Sequence, residues 1–349
     1  MQVLVKSTIL APVLAGLAAC MLLGQALASD LYVGEAALED DQAVTADTLL
    51  EALDQVLVRL TGMVDESPVD VLGLAPADVN ALVQSQQRVR IERIDEDGEP
   101  VSRLRLRAEF HPPSVDRLLQ DHQLPRWGRE RPAILLWVAE EDEDGVRLSD
   151  DRFLEQQVAD QARNFGLDVI RPLGDAMDMA EVELADIRGG FLDAAEVGLQ
   201  RYQAGMVAML DLRKDEDYWS GRWFWRLEGR DSGLSVSADS RAALIEAGLA
   251  NLLSTLAGRY GVIADELDRG TRRVVVDGIV DPVQYAEVLA YLGGLSLVEN
   301  VQVVRARDRR IEFDLDISGG RLEEVIALSR LLVIEQQDFD GTLHLALRQ

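Results

Sequence analysis

The residues of this 349-residue chain with the clearest chemical potential are carboxylates set beside an aromatic run. Asp211, Asp215, Glu216 and Asp217 fall within GMVAMLDLRKDEDYWSGRWFWRLE, residues 205–228, next to Trp219, Trp223 and Trp225, three of the five tryptophans present. Two carboxyls about 5–9.5 Å apart beside such a platform are the machinery of glycoside hydrolysis. Tryptophan is also favoured where a rigid, amphipathic contact to a sugar ring or a partner side chain is needed. A polar hairpin tip and a buried sheet strand account for the same residues without chemistry.

Other chemistries have weaker signals. His111, His122 and His344 are scattered, and the chain has no G-x-S-x-G, H-E-x-x-H or D-x-D-x-D-G pattern, so neither a nucleophilic triad nor a metal loop is indicated. Glu140, Glu141, Asp142, Glu143 and Asp144 supply oxygen ligands suited to Ca²⁺, but the run ends in Asp144-Gly145 and reads as a solvated turn. Gly189-Gly190 precedes a helix without the Lys or further Gly of a phosphate loop. The sequence therefore assigns no catalytic residue, cofactor or metal ligand. Its candidate interaction residues are Trp219, Trp223, Trp225, Arg222 and Arg226, with Glu312, Asp314 and Asp316 near the carboxyl terminus.

These residues need elements to hold them. Met206 to Leu212 and Tyr218 to Leu227 flank the polar tip Arg213 to Asp217 as a hairpin, with the three tryptophans and Leu227 on one parity and Arg222, Phe224 and Arg226 on the other. Before it, the runs Ala133 to Ala139 and Leu167 to Ile170 read as strands, and helical spacing marks Leu154 to Phe165 and Leu192 to Tyr202. Leu244 to Leu256 closes this part as a long helix ending near Gly258. Earlier, Leu31 to Ala36 is a strand, and Ala46 to Leu60 an amphipathic helix that Gly62 terminates. Arg88 to Ile94 and Ser102 to Phe110 form a hairpin across Asp95-Glu96-Asp97-Gly98. After Thr271, the pattern is strand, helix from Asp281-Pro282, a hairpin across Asp308, a helix containing Leu322, Val325, Ile326 and Leu332, and a strand from Thr342 to Leu347. That is the ferredoxin-like βαββαβ order. In Arg310 to Ile317, Ile311, Phe313, Leu315 and Ile317 alternate with charges, so Glu312, Asp314 and Asp316 are expected on the open face, within reach of Arg305 and Arg307.

The expected fold class is thus α+β or mixed α/β and multidomain. A leader (1–28) precedes an amino-terminal α+β domain (29–130), an α/β middle domain with a mixed sheet (131–268) and a ferredoxin-like domain (270–349). In the leader, Lys6, the apolar run Thr8 to Leu23 and Ala26-Leu27-Ala28 predict a cleaved signal peptide, a mature start at Ser29 and a periplasmic location. Leu17-Ala18-Ala19-Cys20 offers a rival lipoprotein cut with acylation at Cys20, the chain's one cysteine. Cleavage after Ala28 leaves no thiol for disulfide, nucleophile or metal. With 35 basic against 62 acidic residues the net charge is −27, which repels nucleic acid and anionic lipid surfaces. Only Lys6 and Lys214 are lysines, so the remaining basic residues are arginine.

LYVGEAALEDDQ, the helix ending DQVLVRLTG, and LRAEFHPPSVDRLLQDHQLPRWGRERPAILLWVAEED resemble the exported proteobacterial proteins of domain-of-unknown-function family 2066. The resemblance, which extends to the W-S-G-R-W segment, implies export to the cell envelope and brings no activity, substrate or site residue. The expected function is therefore that of a non-enzymatic binding or scaffolding protein of the cell envelope. Its expected partner is an envelope protein or a glycan, with no nucleic acid and no lasting transmembrane anchor. The alternatives are a glycan hydrolase using the hairpin acids and a small-ligand sensor.

Overall fold

The computed structural model describes residues 30–39, 43–95, 99–142, 145–149, 151–263, 269–319, 322–329 and 331–348. The leader with Cys20 and the expected cleavage site lies outside them. So do Glu96, Asp97 and Gly98 of the expected turn, and Glu143 and Asp144 of the acidic run. The described residues hold twelve α-helices and three sheets, a mixed α+β chain. They divide into a larger unit, Gly34–His111 with Arg131–Arg259, and a smaller one built on Pro112–Glu130 and Tyr260–Gln349.

In the larger unit, β1 (Val33–Ala37), β2 (Val83–Ile94) and β3 (Pro100–Phe110) pair in the order β1-β3-β2. Helix α1 (Ala46–Thr61) starts because the Thr45 side chain accepts the amide of Thr48, and stops because Gly62 adopts φ 73°. Its Leu49, Leu53, Val56, Leu57 and Leu60 are buried, as the spacing predicts. Gly34 is required in β1, since a Cβ there would fall 1.8 Å from the Ala52 carbonyl oxygen of α1. Two four-residue helices follow, α2 (Pro68–Val71) and α3 (Pro76–Val79).

The second sheet of this unit runs β5 (Gly145–Leu148), β4 (Ala133–Asp142), β7 (Met206–Lys214), β8 (Trp219–Leu227), β9 (Arg230–Ala238), with β6 (Asp168–Ile170) parallel to β4. β4 and β7 are parallel, and β7, β8 and β9 form an antiparallel meander. The short helices α6 (Ala176–Glu181), α7 (Leu184–Gly189), α8 (Leu192–Glu196) and α9 (Gly198–Tyr202) cover one face, where Leu135, Trp137, Val207 and Met209 meet Ile187, Leu192 and Ala195. Helix α5 (Arg152–Phe165) follows β5, and α10 (Arg241–Tyr260) closes the opposite face. Sequence periodicity anticipated neither β5 nor β9. It also read Leu192 to Tyr202 as one helix, which the chain breaks at Val197, before Gly198, the poorest non-proline helix former.

The Arg131 guanidinium donates to the carbonyls of Arg59, Phe165 and Gly166, and Gln156 exchanges two hydrogen bonds with the Ile94 backbone. These ties explain why the two stretches expected to be separate domains form one unit.

The smaller unit contains α4 (Pro112–Asp121), β10 (Arg269–Asp277), α11 (Pro282–Gly294), β11 (Val298–Arg307), β12 (Arg310–Ser318), α12 (Leu322–Ala327), β13 (Leu332–Gln337) and β14 (Leu343–Leu347). Sequence placed Pro112–Glu130 in the first domain. Its grouping here has a cause: Arg126 bridges to Val262 in a β-bridge and donates to the Ser296 carbonyl, and the Trp127 ring stacks 6.4 Å from that of Tyr260. The sheet order is β11-β12-β10-β14-β13, with β14 parallel to β10. The ferredoxin-like expectation is corrected at this end. α12 leads into β13, which lies one place further out, and β14 returns to fill the gap. Leu332 opens β13 rather than extending the helix, because the Ser329 hydroxyl accepts the amides of Leu331 and Leu332.

Candidate functional site

The parallel pair β4 and β7 brings its carboxyl ends together, the edge at which open α/β sheets place their ligands. Strand alternation sends neighbouring acids to opposite faces. On one face Glu141 accepts Arg188 Nη2 at 2.7 Å and Arg213 Nε at 2.9 Å through the same oxygen. Asp211, 4% exposed, accepts Arg222 Nη2 at 2.7 Å, and its other oxygen lies 3.4 Å from Arg188 Nε. The result is a continuous chain of three guanidinium groups and two carboxylates.

On the other face Glu140, 3% exposed, takes Arg241 Nη1 at 3.2 Å and the Ser149 hydroxyl at 2.8 Å. Arg241 is itself buried and also donates to Asp151 at 2.8 Å and Gln157 at 2.9 Å, while its guanidinium carbon lies 5.1 Å from the centroid of the Phe153 ring and 5.6 Å from that of Trp219. Burial pushes the Asp151 carboxyl up. The amides of Phe153 and Leu154 and the Arg241 guanidinium more than offset that, leaving it below the usual carboxylate range.

The tryptophan platform is corrected by this geometry. Trp223 and Trp225 are 0% and 4% exposed, and only Trp219 is half-buried. Helix α10 approaches so closely that a Cβ on Gly248 would fall 2.1 Å from the Trp223 ring. The parity read from sequence is right, but the apolar face is core. Arg222 is exposed, whereas the Arg226 side chain is only 17% exposed, held by Asp231 at 2.5 Å, Glu196 at 3.1 Å and Asp193. Of the hairpin acids, Asp211 is locked in the arginine chain, Asp215 accepts the Ser220 hydroxyl at 2.9 Å, and Glu216 and Asp217 are exposed at the tip.

In the smaller unit the strict alternation of β12 holds: Ile311, Phe313, Leu315 and Ile317 are buried with Val288 and Leu292 of α11 and Leu322, Val325 and Ile326 of α12. Glu312, Asp314 and Asp316 are half-buried on the other face. Asp314 forms a two-pronged pair with Arg273 at 2.9 and 3.0 Å, Asp316 accepts Thr271 at 3.0 Å and Asn300 at 3.1 Å, and Glu312 lies 3.7 Å from Arg305. The Arg273 hydrogen bond holds Asp314 below the ordinary carboxylate range.

Sequence reasoning missed Arg241 and Arg188. One signal was available: Arg241 opens α10, where a helix dipole disfavours a cation, so a buried acid had to await it. It also missed Asp178, 0% exposed in α6, which receives Arg201 at 2.7 Å, the Tyr202 hydroxyl at 2.7 Å and the Gly174 amide at 2.9 Å. Among the described residues no three His, Cys, Asp or Glu side chains gather in a way that would hold a metal ion, and no helix is long and apolar enough to cross a membrane.

A family defined as a domain of unknown function (DUF8605) matches residues 26–128, less than a third of the chain, so over that stretch the chain is similar to an uncharacterised domain family. No curated protein matches. A crystal structure of an uncharacterized protein is 10% identical to the chain, covering 37% of it and 92% of its own length at a TM-score of 0.16, too low to carry an argument about fold.

Proposed function

We propose that this is a non-enzymatic protein of the cell envelope that binds or scaffolds another envelope protein through the open face of its carboxy-terminal sheet. The observation that carries the reading is the β10–β12–β11 face, where Arg273, Asp314, Asp316, Glu312 and Arg305 are fixed by cross-strand pairs while the apolar parity is filled by helices. Ordered charges of both signs on a pleated surface suit docking, because complementary patterns select partners and set encounter rates. Export to the periplasm with a mature start at Ser29 and kinship with the exported proteobacterial family 2066 belong to the same reading, supported by the leader and the resemblance.

The glycan-hydrolase alternative needs a tryptophan-lined groove with two free carboxyls. Burial of Trp223 and Trp225 and the engagement of Asp211 remove its support. A photo-crosslinking side chain placed at Glu312 or Arg305 in living cells should yield one discrete adduct with an envelope protein, and the same probe at Glu246 should not. If neutralising Glu312, Asp314 and Asp316 together leaves that adduct unchanged, the face is not the docking surface.

A further inference from the structure

Strand β9 ends the six-stranded sheet of the larger unit with no strand paired to its outer side among the described residues. Its register follows from the tight turn Glu228-Gly229, both at positive φ (51° and 74°), which makes Leu227 and Arg230 the first hydrogen-bonded pair with β8. Even-numbered residues of β9 therefore bond inwards, and Asp231, Gly233, Ser235 and Ser237 turn their N–H and C=O groups outwards.

An open edge invites pairing, and proteins blunt their edges with charge, proline, bulges or shortness. Every other edge strand here is blunted. β1, β5 and β6 have five, four and three residues. β2 carries Arg88, Arg90, Glu92 and Arg93 with a register shift at Val83/Ser85. β11 carries Arg305 and Arg307 with two shifts, and β13 carries Glu335 with one. β9 carries its two charges, Arg230 and Asp231, at the turn end, and its longer stretch from Ser232 to Ala238 has no charge, no proline and an unbroken register with β8.

We propose that the β9 edge pairs antiparallel with β9 of a second copy of this chain, on a two-fold axis at Leu234. Outward residues must meet outward residues, so the axis passes through a residue position. Centring on Ser235 sets Asp231 against Asp239, a like-charge clash. Centring on Gly233 leaves the far end of the strand unmatched. With the axis at Leu234 the whole of β9 pairs: Arg230 with Ala238, Asp231 with Ser237, Ser232 with Val236, Gly233 with Ser235, and Leu234 with its own equivalent. Asp231, paired with Arg226 in its own copy, then faces the uncharged Ser237, and the pairing adds about eight backbone hydrogen bonds. The net charge of −27 on each copy opposes the contact, so it strengthens as salt shortens the screening length from ~30 Å at 0.01 M to ~8 Å at 0.15 M.

Sedimentation velocity on the full chain tests this. A monomer–dimer equilibrium that tightens with NaCl is expected. Ser235→Pro removes an outward N–H and keeps the β8 pairing, so it should retain the wild-type circular dichroism and melting temperature while weakening the dimer at least ~10-fold. Leu234→Lys and Leu234→Glu should each be monomeric alone and form a heterodimer when mixed, because only this register sets position 234 against itself. A wild-type monomer at every salt concentration overturns the proposal, including one whose edge takes up an unrelated extended peptide. Undiminished dimerisation of Ser235→Pro overturns it too, as does a Lys/Glu mixture that stays monomeric.

Discussion

Replacing Arg241 by Met tests whether the buried ion network holds the larger unit together. The Arg241 side chain is 9% exposed and that of Glu140 4%, so the substitution strands a carboxylate in the core. Breaking a buried pair by removing one partner costs about 3–5 kcal/mol. Glu140 keeps the Ser149 hydroxyl at 2.8 Å and has Arg147 at 3.8 Å, which places the expected loss at the lower end, about 3 kcal/mol. Adding Glu140→Gln removes the stranded charge, so the double variant should recover about 2 kcal/mol, a coupling typical of contacting residues. Urea unfolding followed by tryptophan fluorescence is the assay, since Trp137, Trp219, Trp223 and Trp225 lie in this unit and Trp219 sits over Arg241. A loss below about 1 kcal/mol for Arg241→Met, or strict additivity in the double variant, would refute the claim that the pair is desolvated and coupled.

In the smaller unit, Phe313→Ala should cost ~3–5 kcal/mol through the cavity it leaves, whereas Glu312→Ala should stay within ~0.5 kcal/mol; equal losses in chemical denaturation would mean the strand parity is wrong. Gly248→Ala puts a methyl group 2.1 Å from the Trp223 ring and should lower the unfolding free energy by ~1–3 kcal/mol, with a shift in tryptophan emission that an unstrained Ala would not produce. Asp175 accepts hydrogen bonds from the Arg201 guanidinium and the Asp178 amide, which bring its carboxyl down to about 2. A depressed folded-state value means stabilisation present above the unfolded value of ~3.9 and lost as pH falls through about 2. NMR titration of Asp175 should therefore show a midpoint near 2, returning towards ~3.9 in Arg201→Gln.

What the sequence disclosed follows the range of each interaction. α1 was legible because its periodicity, its Thr45 cap and Gly62 all act within a few residues. The parity of β8 and β12 was legible for the same reason. Whether the β8 parity meets solvent or core depended on Gly248 of α10, far along the chain, where a missing side chain admits the helix onto Trp223. β9 was missed because SGLSVSA is poor in the β-branched and aromatic residues that mark strands, and pairing with β8 overrides that weak propensity. The unit boundary was missed because Pro112–Glu130 is tied in place by Arg126 and Trp127, whose partners lie beyond residue 259.

The near-absence of lysine bears on how so acidic a chain organises its charge. Guanidinium presents a planar fork of donors, so one arginine can satisfy several carboxylates in fixed directions, whereas an ammonium acts as a point charge. Arg226 binds Asp193, Glu196 and Asp231; Arg241 binds Glu140 and Asp151; Arg188 bridges Glu141 and Asp211. Each of these three arginines thus orders more than one of the excess acids. The two surfaces proposed for docking differ in how they stand towards that pattern. On the β10–β12–β11 face Arg273 and Arg305 are spent on cross-strand pairs within an ordered relief of both signs, suited to a partner that reads charge. At β9 there is no charge to read between Ser232 and Ala238, and recognition there falls to the backbone.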